Sequence, residues 1–79
     1  KLTNLDVDLL RAFVTIADLG SFTRAADRLY RTQSTISLQI KKLEEQLGKP
    51  LLERNARRVR LTAEGEHMLP YCRQILRLN

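Results

Sequence analysis

Between Thr32 and Gly48 the residues Ile36, Ile40, Leu43 and Leu47 recur at spacings of four, three and four. At about 100° per residue they form one narrow apolar stripe of a helix. The opposite side carries Ser34, Leu38, Lys41 and Glu45, with Ser37 and Lys42 flanking. The stripe requires a core to bury it. The outer face begins with short hydrogen-bonding side chains and turns basic, the pattern of a helix presented outward to be read against a partner. Thr32 is a suitable N-cap, Gly48 suits the left-handed residue at the far end, and Pro50 prevents continuation.

Upstream, the spacing predicts a first helix over 7–19, capped by Asp6, with Leu9, Leu10, Phe13, Val14 and Ala17 on one broad side. Gly20 follows as a helix end. Ser21 then caps a short second helix, FTRAADRLY, whose inner face is Phe22, Ala25, Ala26 and Leu29. The paired alanines allow a neighbouring helix to approach closely. Arg24, Arg28 and Arg31 fall outside, with Asp27 between them. The connection to the next helix is Arg31-Thr32 at most. A short helix, a tight turn and a longer helix outline a helix-turn-helix, here without the glycine frequent in that turn.

After Pro50 the period shortens to two. Residues 51–54 and 59–61 read as two very short strands around a basic tip at 55–58, with Leu52, Val59 and Leu61 facing inward. Four arginines lie between 54 and 60, with no acid from 54 to 63 to balance them. A hairpin placed there is a wing. Thr62 can cap a last helix, AEGEHMLPYCRQILRLN, with Glu64 and Glu66 in its first turns, where the helix dipole favours them. Met68, Leu69, Cys72, Ile75, Leu76 and Leu78 supply more apolar surface than one side of a small domain needs, and Pro70 should bend the helix. The periodic segment runs to Asn79 without a stop signal, as expected of a piece of a longer chain. The expected fold is mostly α: a winged helix-turn-helix over 1–62 (helix-turn-helix about 22–41, wing about 51–61), with a long C-terminal linker helix over 63–79.

Composition narrows the function. Seventy-nine residues make one small domain, which buries only about 60% of its unfolded surface. A net charge of +5 favours a polyanionic partner. The single cysteine excludes an internal disulfide, and neither a signal peptide nor a long uncharged apolar run is present, so an intracellular protein off the membrane is expected. Catalysis has little to work with. His67 and Cys72 stand five apart on one helix and point to different sides. His67 reads as a surface residue and Cys72 as packing or dimer contact. No carboxylate pair, metal-ligand cluster or phosphate-cradling glycine loop stands out, so no enzyme and no cofactor is expected.

A DNA-reading helix contacts base edges mainly through its first turns. Here those turns carry Gln33, Ser34, Thr35 and Ser37; Gln can pair with adenine bidentately, and Ser or Thr can serve several bases. Leu38 fits two readings, a harmless exposed leucine or a contact to a thymine methyl. Lys41 and Lys42 suit phosphates. Arg24 and Arg28 fit either phosphates or solvated pairing with Asp27. Arg57 and Arg58, on an uncompensated tip, suit the minor groove or phosphates.

These residues together resemble the N-terminal domain of LysR-type transcriptional regulators. The likeness runs through Leu10 and Phe13, Gly20-Ser21-Phe22-Thr23, Ala25-Ala26 and Leu29, then Thr32-Gln33-Ser34, Ile36-Ser37 and Ile40. It continues through Leu43-Glu44, Leu47-Gly48, Pro50-Leu51, Arg54, Arg57, Val59, Leu61-Thr62 and Gly65. The resemblance implies a bacterial, cytoplasmic transcription factor that binds double-stranded DNA at an interrupted palindrome, with residues 33–47 as recognition helix. It implies a homodimer joined through the linker helix, a tetramer at full length, and a small-molecule effector on a further domain beyond Asn79. By position, the base-reading candidates are Gln33, Ser34, Thr35, Ser37 and Leu38. Backbone or minor-groove candidates are Ser21, Thr32, Lys41, Lys42, Arg54, Arg57 and Arg58, and dimer candidates are Met68, Leu69, Cys72, Ile75 and Leu76. Two positions depart from the family pattern. Leu52 stands where Phe is frequent, and Leu38 where a basic or polar residue is frequent, so a guanine contact there is lost. A reading from another class, a winged-helix module whose basic wing binds an acidic protein, differs in showing no preference among DNA sequences.

Overall fold

The computed structural model of the chain describes residues 4–54 and 59–78. Four helices and one hairpin appear in the order α1 (Asn4–Leu19), α2 (Phe22–Leu29), α3 (Gln33–Leu47), β1 (Leu52–Arg54), β2 (Val59–Leu61) and α4 (Ala63–Leu78). The strands pair antiparallel in the register Leu52–Leu61, Glu53–Arg60 and Arg54–Val59.

α1 is the central element and packs against α2, α3, α4 and β2. It contributes Leu9, Leu10, Ala12, Phe13 and Ile16 to the core; Ala25 and Ala26 of α2, Ile36, Ile40 and Leu43 of α3, Leu51 and Leu52 at the start of the wing, and Cys72 of α4 complete it. Ala12 and Ile16 widen the buried arc of α1 beyond the expected side, because four elements pack around this helix. No polar or charged residue is buried among the described residues. The side chains of the core therefore meet through apolar packing, and truncating Phe13, its largest fully buried side chain, to alanine costs about 3–5 kcal/mol.

The caps follow the sequence. The Ser21 hydroxyl accepts the Arg24 N–H at 3.1 Å, and the Thr32 hydroxyl accepts the Thr35 N–H at 3.1 Å. Gly48, with φ 71°, ends α3 in the left-handed region. At α4, the Thr62 hydroxyl accepts the Gly65 N–H at 3.0 Å while donating to the Pro50 carbonyl at 2.8 Å, so one side chain caps the helix and ties it to the start of the wing.

Three expectations are corrected. α1 begins at Asn4, so Asp6 lies in its first turn, where the helix dipole favours a carboxylate, and not at the N-cap. α2 stops at Leu29, and the turn is Tyr30–Thr32. Tyr30 takes the left-handed conformation (φ 57°, ψ 44°), and the Arg31 N–H donates to the Ala26 carbonyl at 2.9 Å. A tyrosine thus closes the turn where glycine is the easier residue. Leu47, expected in the inner stripe, is 40% exposed because α3 has run past the core by its last residue.

Candidate nucleic-acid interface

The outward side of α3 is built by subtraction. Ile36, Ile40 and Leu43 are taken by the core, which fixes the rotation of the helix and turns the remaining positions to solvent. Gln33, Ser34, Lys41 and Lys42 are exposed, Thr35 and Ser37 are half-buried, and Leu38 is 66% exposed. Gln33 and Ser34 make no side-chain hydrogen bond, and Lys41 and Lys42 no ion pair, with any other described residue. Their donors and charges are unspent. Thr32 and Thr35 are partly committed, since the Thr32 hydroxyl donates to the Thr35 hydroxyl at 2.9 Å. The Thr35 O–H remains available to donate. The backbone N–H groups of Gln33 and Ser34 begin the helix without intrahelical acceptors and face outward with the positive end of the helix dipole, an arrangement suited to a phosphate.

The hydroxyl of Ser21 is likewise engaged as a cap at the head of α2. Close to it the guanidinium of Arg54, the last residue of β1, stacks over the Phe22 ring at 4.9 Å from its centroid. This cation–π contact joins the wing to the helix-turn-helix while leaving Arg54 exposed. Arg24, Arg28 and Arg31 are exposed and form no ion pair among the described residues, so the pairing of Arg24 or Arg28 with Asp27 is not seen. Arg57 and Arg58, the expected wing-tip contacts, lie outside the described residues.

Glu44 was not singled out for a role in the sequence, and the structure gives it one. Its carboxylate Oε2 accepts the N–H groups of Leu51 at 2.8 Å and Leu52 at 3.2 Å. Its backbone carbonyl accepts those of Gly48 at 2.8 Å and Lys49 at 3.2 Å. One residue therefore accepts four backbone N–H groups along the connection from α3 to the wing. No periodic signal marks such a contact, because it crosses a chain reversal. Gly65 is fixed by a second close approach: a Cβ there would run into the Leu51 carbonyl oxygen. The first turn of α4 can rest on the Leu51 backbone, just before β1, only as glycine.

On α4, Met68, Leu69, Ile75 and Leu76 are half-buried against the core. Of the two readings of Cys72, packing or dimer contact, the structure of the protomer shows packing. Cys72 is 2% exposed and belongs to the protomer's own core, where burial pushes its thiol pKa up. Tyr71, one residue earlier, is exposed and packs its ring at 5.8 Å from that of His67. Arg73 holds Asp18 of α1 with two hydrogen bonds, the shorter 2.7 Å, an exposed pair that orients α4 on α1 but adds little stability. Among the described residues no cluster could hold a metal ion, and no helix is long and apolar enough to cross a membrane.

A tri-helical core, a short wing and a capped helix with an unspent polar face define a winged helix-turn-helix of the DNA-binding class. Sequence comparison makes this specific: the chain belongs to the lysR family of bacterial regulatory helix-turn-helix proteins, whose model matches residues 7–66. It is 49% identical over 76 residues, 96% of its length, to the HTH-type transcriptional regulator PecT of Dickeya dadantii (strain 3937), of which it covers 24%. The chain thus spans about a quarter of the length of the curated relatives it matches. A structure described as the BenM_DBD/catB site 1 DNA complex superposes with TM-score 0.85 at 44% identity, over 89% of this chain and 79% of that one. A Corynebacterium glutamicum OxyR structure superposes with TM-score 0.91 at 37% identity, over 99% of this chain and 24% of that one. The chain is therefore a helix-turn-helix domain of the lysR family, and the matched relatives are named transcriptional regulators.

Proposed function

We propose that this domain binds double-stranded DNA sequence-specifically by laying α3 in the major groove, first turn foremost. The observation that carries this is the outward face of α3, where the side chains of Gln33, Ser34, Lys41 and Lys42 have no hydrogen-bond or ion-pair partner among the described residues while Ile36, Ile40 and Leu43 are spent on the core. Gln33, Ser34, Thr35 and Ser37 select bases; Lys41 and Lys42 hold phosphates. Ser21 and Thr32, whose hydroxyls are occupied as caps, contribute through the helix N-termini they shape. Arg54, Arg57 and Arg58 follow the minor groove or its phosphates from the wing. Two copies joined through α4, with Met68, Leu69, Ile75 and Leu76 at the contact, read an interrupted palindrome. In the complete regulator a small-molecule effector acts on a further domain, and dimers pair into tetramers.

The test is selection of bound sequences from a random DNA pool, followed by titration of wild type and Gln33→Ala against the selected operator and random duplex. Loss of roughly 1–3 kcal/mol of discrimination is expected for Gln33→Ala. Undiminished discrimination refutes base reading by Gln33. Binding with no sequence preference at moderate salt refutes the reading as a whole and favours an acidic protein partner for the wing.

A further inference from the structure

Leu38 is the one large apolar side chain in the middle of the outward face of α3, and it is 66% exposed. It lies one turn beyond Ser34 on the same side, with Lys41 and Lys42 next along the helix. Leu38 forms one wall of an open recess of about 240 Å³ between α1 and α3, lined also by Leu9, Thr35, Gln39 and Lys42, and most of its surface still meets solvent. The protein's own packing leaves this side chain uncovered. The unpaired lysines beside it favour a polyanion as the cover.

We infer that Leu38 reads a pyrimidine C5-methyl group in the major groove. This rests on the placement of α3 proposed above. Four residues of helix advance about 6 Å, so Leu38 meets a base different from the one that Ser34 meets. A leucine has no donor or acceptor to offer a base edge. The apolar feature of the major groove is the C5-methyl of thymine, and the other base edges there present nitrogen and oxygen atoms. Laying Leu38 on guanine O6 or N7, or on the adenine amino group, would remove water from a polar group without replacing its hydrogen bond. Attraction to the methyl and penalty at the other bases therefore select the same thing. The same methyl occurs on 5-methylcytosine, so a methylated cytosine at that step presents Leu38 with the chemistry of thymine.

The experiment uses the chain and an operator selected from random DNA. Each thymine is replaced in turn by deoxyuridine, which removes the methyl alone. At one step per half-site, wild type should lose about fourfold in affinity, the value of burying one methyl carbon. Leu38→Ala should show no loss at that step and keep the wild-type response at the others, while Leu38→Met, which retains apolar surface, should keep the sensitivity. Exchanging that pair for C·G should weaken binding, and methylating the cytosine should restore about fourfold. If restoration is absent while the deoxyuridine loss is present, the contact is to thymine only and the methylated-base arm is overturned. If no thymine responds, or the response survives in Leu38→Ala, while operator is still preferred over random DNA, the methyl contact is wrong and the placement of α3 stands. If operator preference itself is absent, both fall.

Discussion

Replacing Glu44 with alanine removes the acceptor of the Leu51 and Leu52 N–H groups, and the two amides belong to residues that are 0% and 6% exposed. Water has little access to replace what is lost. Hydrogen bonds to a charged group contribute about 1.5–3 kcal/mol each. Both bonds end on one oxygen and the second is the longer, so about 2–4 kcal/mol is expected for the pair. A domain of this size holds about 4–12 kcal/mol in all. Glu44→Gln separates charge from connectivity. Its carbonyl oxygen can occupy the Oε2 position and accept both amides. Charge-assisted bonds are roughly twice as strong as neutral ones, so about half the loss is expected. Urea unfolding followed by helical circular dichroism reads both variants. With a slope near 1 kcal/mol per molar, alanine should lower the midpoint by about 2 M or more, with glutamine between it and wild type. If alanine is within about 0.5 kcal/mol of wild type, or glutamine is as damaging as alanine, the carboxylate is not the anchor of the wing.

Three further outcomes are expected. Tyr30→Gly relieves the left-handed strain of a side chain that is 92% exposed, but enlarges the freedom of the unfolded chain; Tyr30→Asn relieves strain without that loss and should raise stability by about 0.5–1 kcal/mol, read as a higher Tm, and a lower Tm for Asn would contradict the strain. Gly65→Ala forces α4 away from the Leu51 carbonyl and should cost about 1–3 kcal/mol, or about 4–8 °C of Tm for each kcal/mol; an unchanged Tm would show that the first turn of α4 shifts freely. Arg57→Ala should weaken binding to all duplexes evenly and make the salt dependence shallower by about one unit of log–log slope, and an unchanged slope would rule out a phosphate contact.

Much of this molecule was legible because its local chemistry and its tertiary structure agree. Ser21, Thr32, Thr62, Gly20 and Gly48 announce helix boundaries through hydrogen-bonding groups and backbone freedom that act within four residues, and each boundary stands where they put it. The alternation of Leu52, Val59 and Leu61 likewise placed the two strands of the hairpin. What escaped depends on encounters between distant segments. Glu44 reads as one more charge on a solvated helix until the chain reverses and delivers two amides to it. Cys72 counted as surplus apolar surface because spacing along α4 says nothing of how closely α1 lies against it. Tyr30 violates a local preference and could be found only from the turn it closes. The outward face of α3 was recognisable by composition, but which of its donors remain unspent required the capping pattern of Thr32 and Thr35.

The position of Gln33, Ser34 and Leu38 outside the buried core has an evolutionary consequence. On the proposed placement of α3, a substitution at these positions changes what the helix recognises without drawing on the core of the domain. Sites such as Glu44, Gly65 and Ala25 have no such latitude, since a change there is felt by the whole scaffold. A lineage carrying this domain can therefore drift across operator sequences by single steps, each variant folding as well as its parent. New regulatory targets become accessible at the rate at which the face mutates, not at the rate at which compensating changes arise in the core.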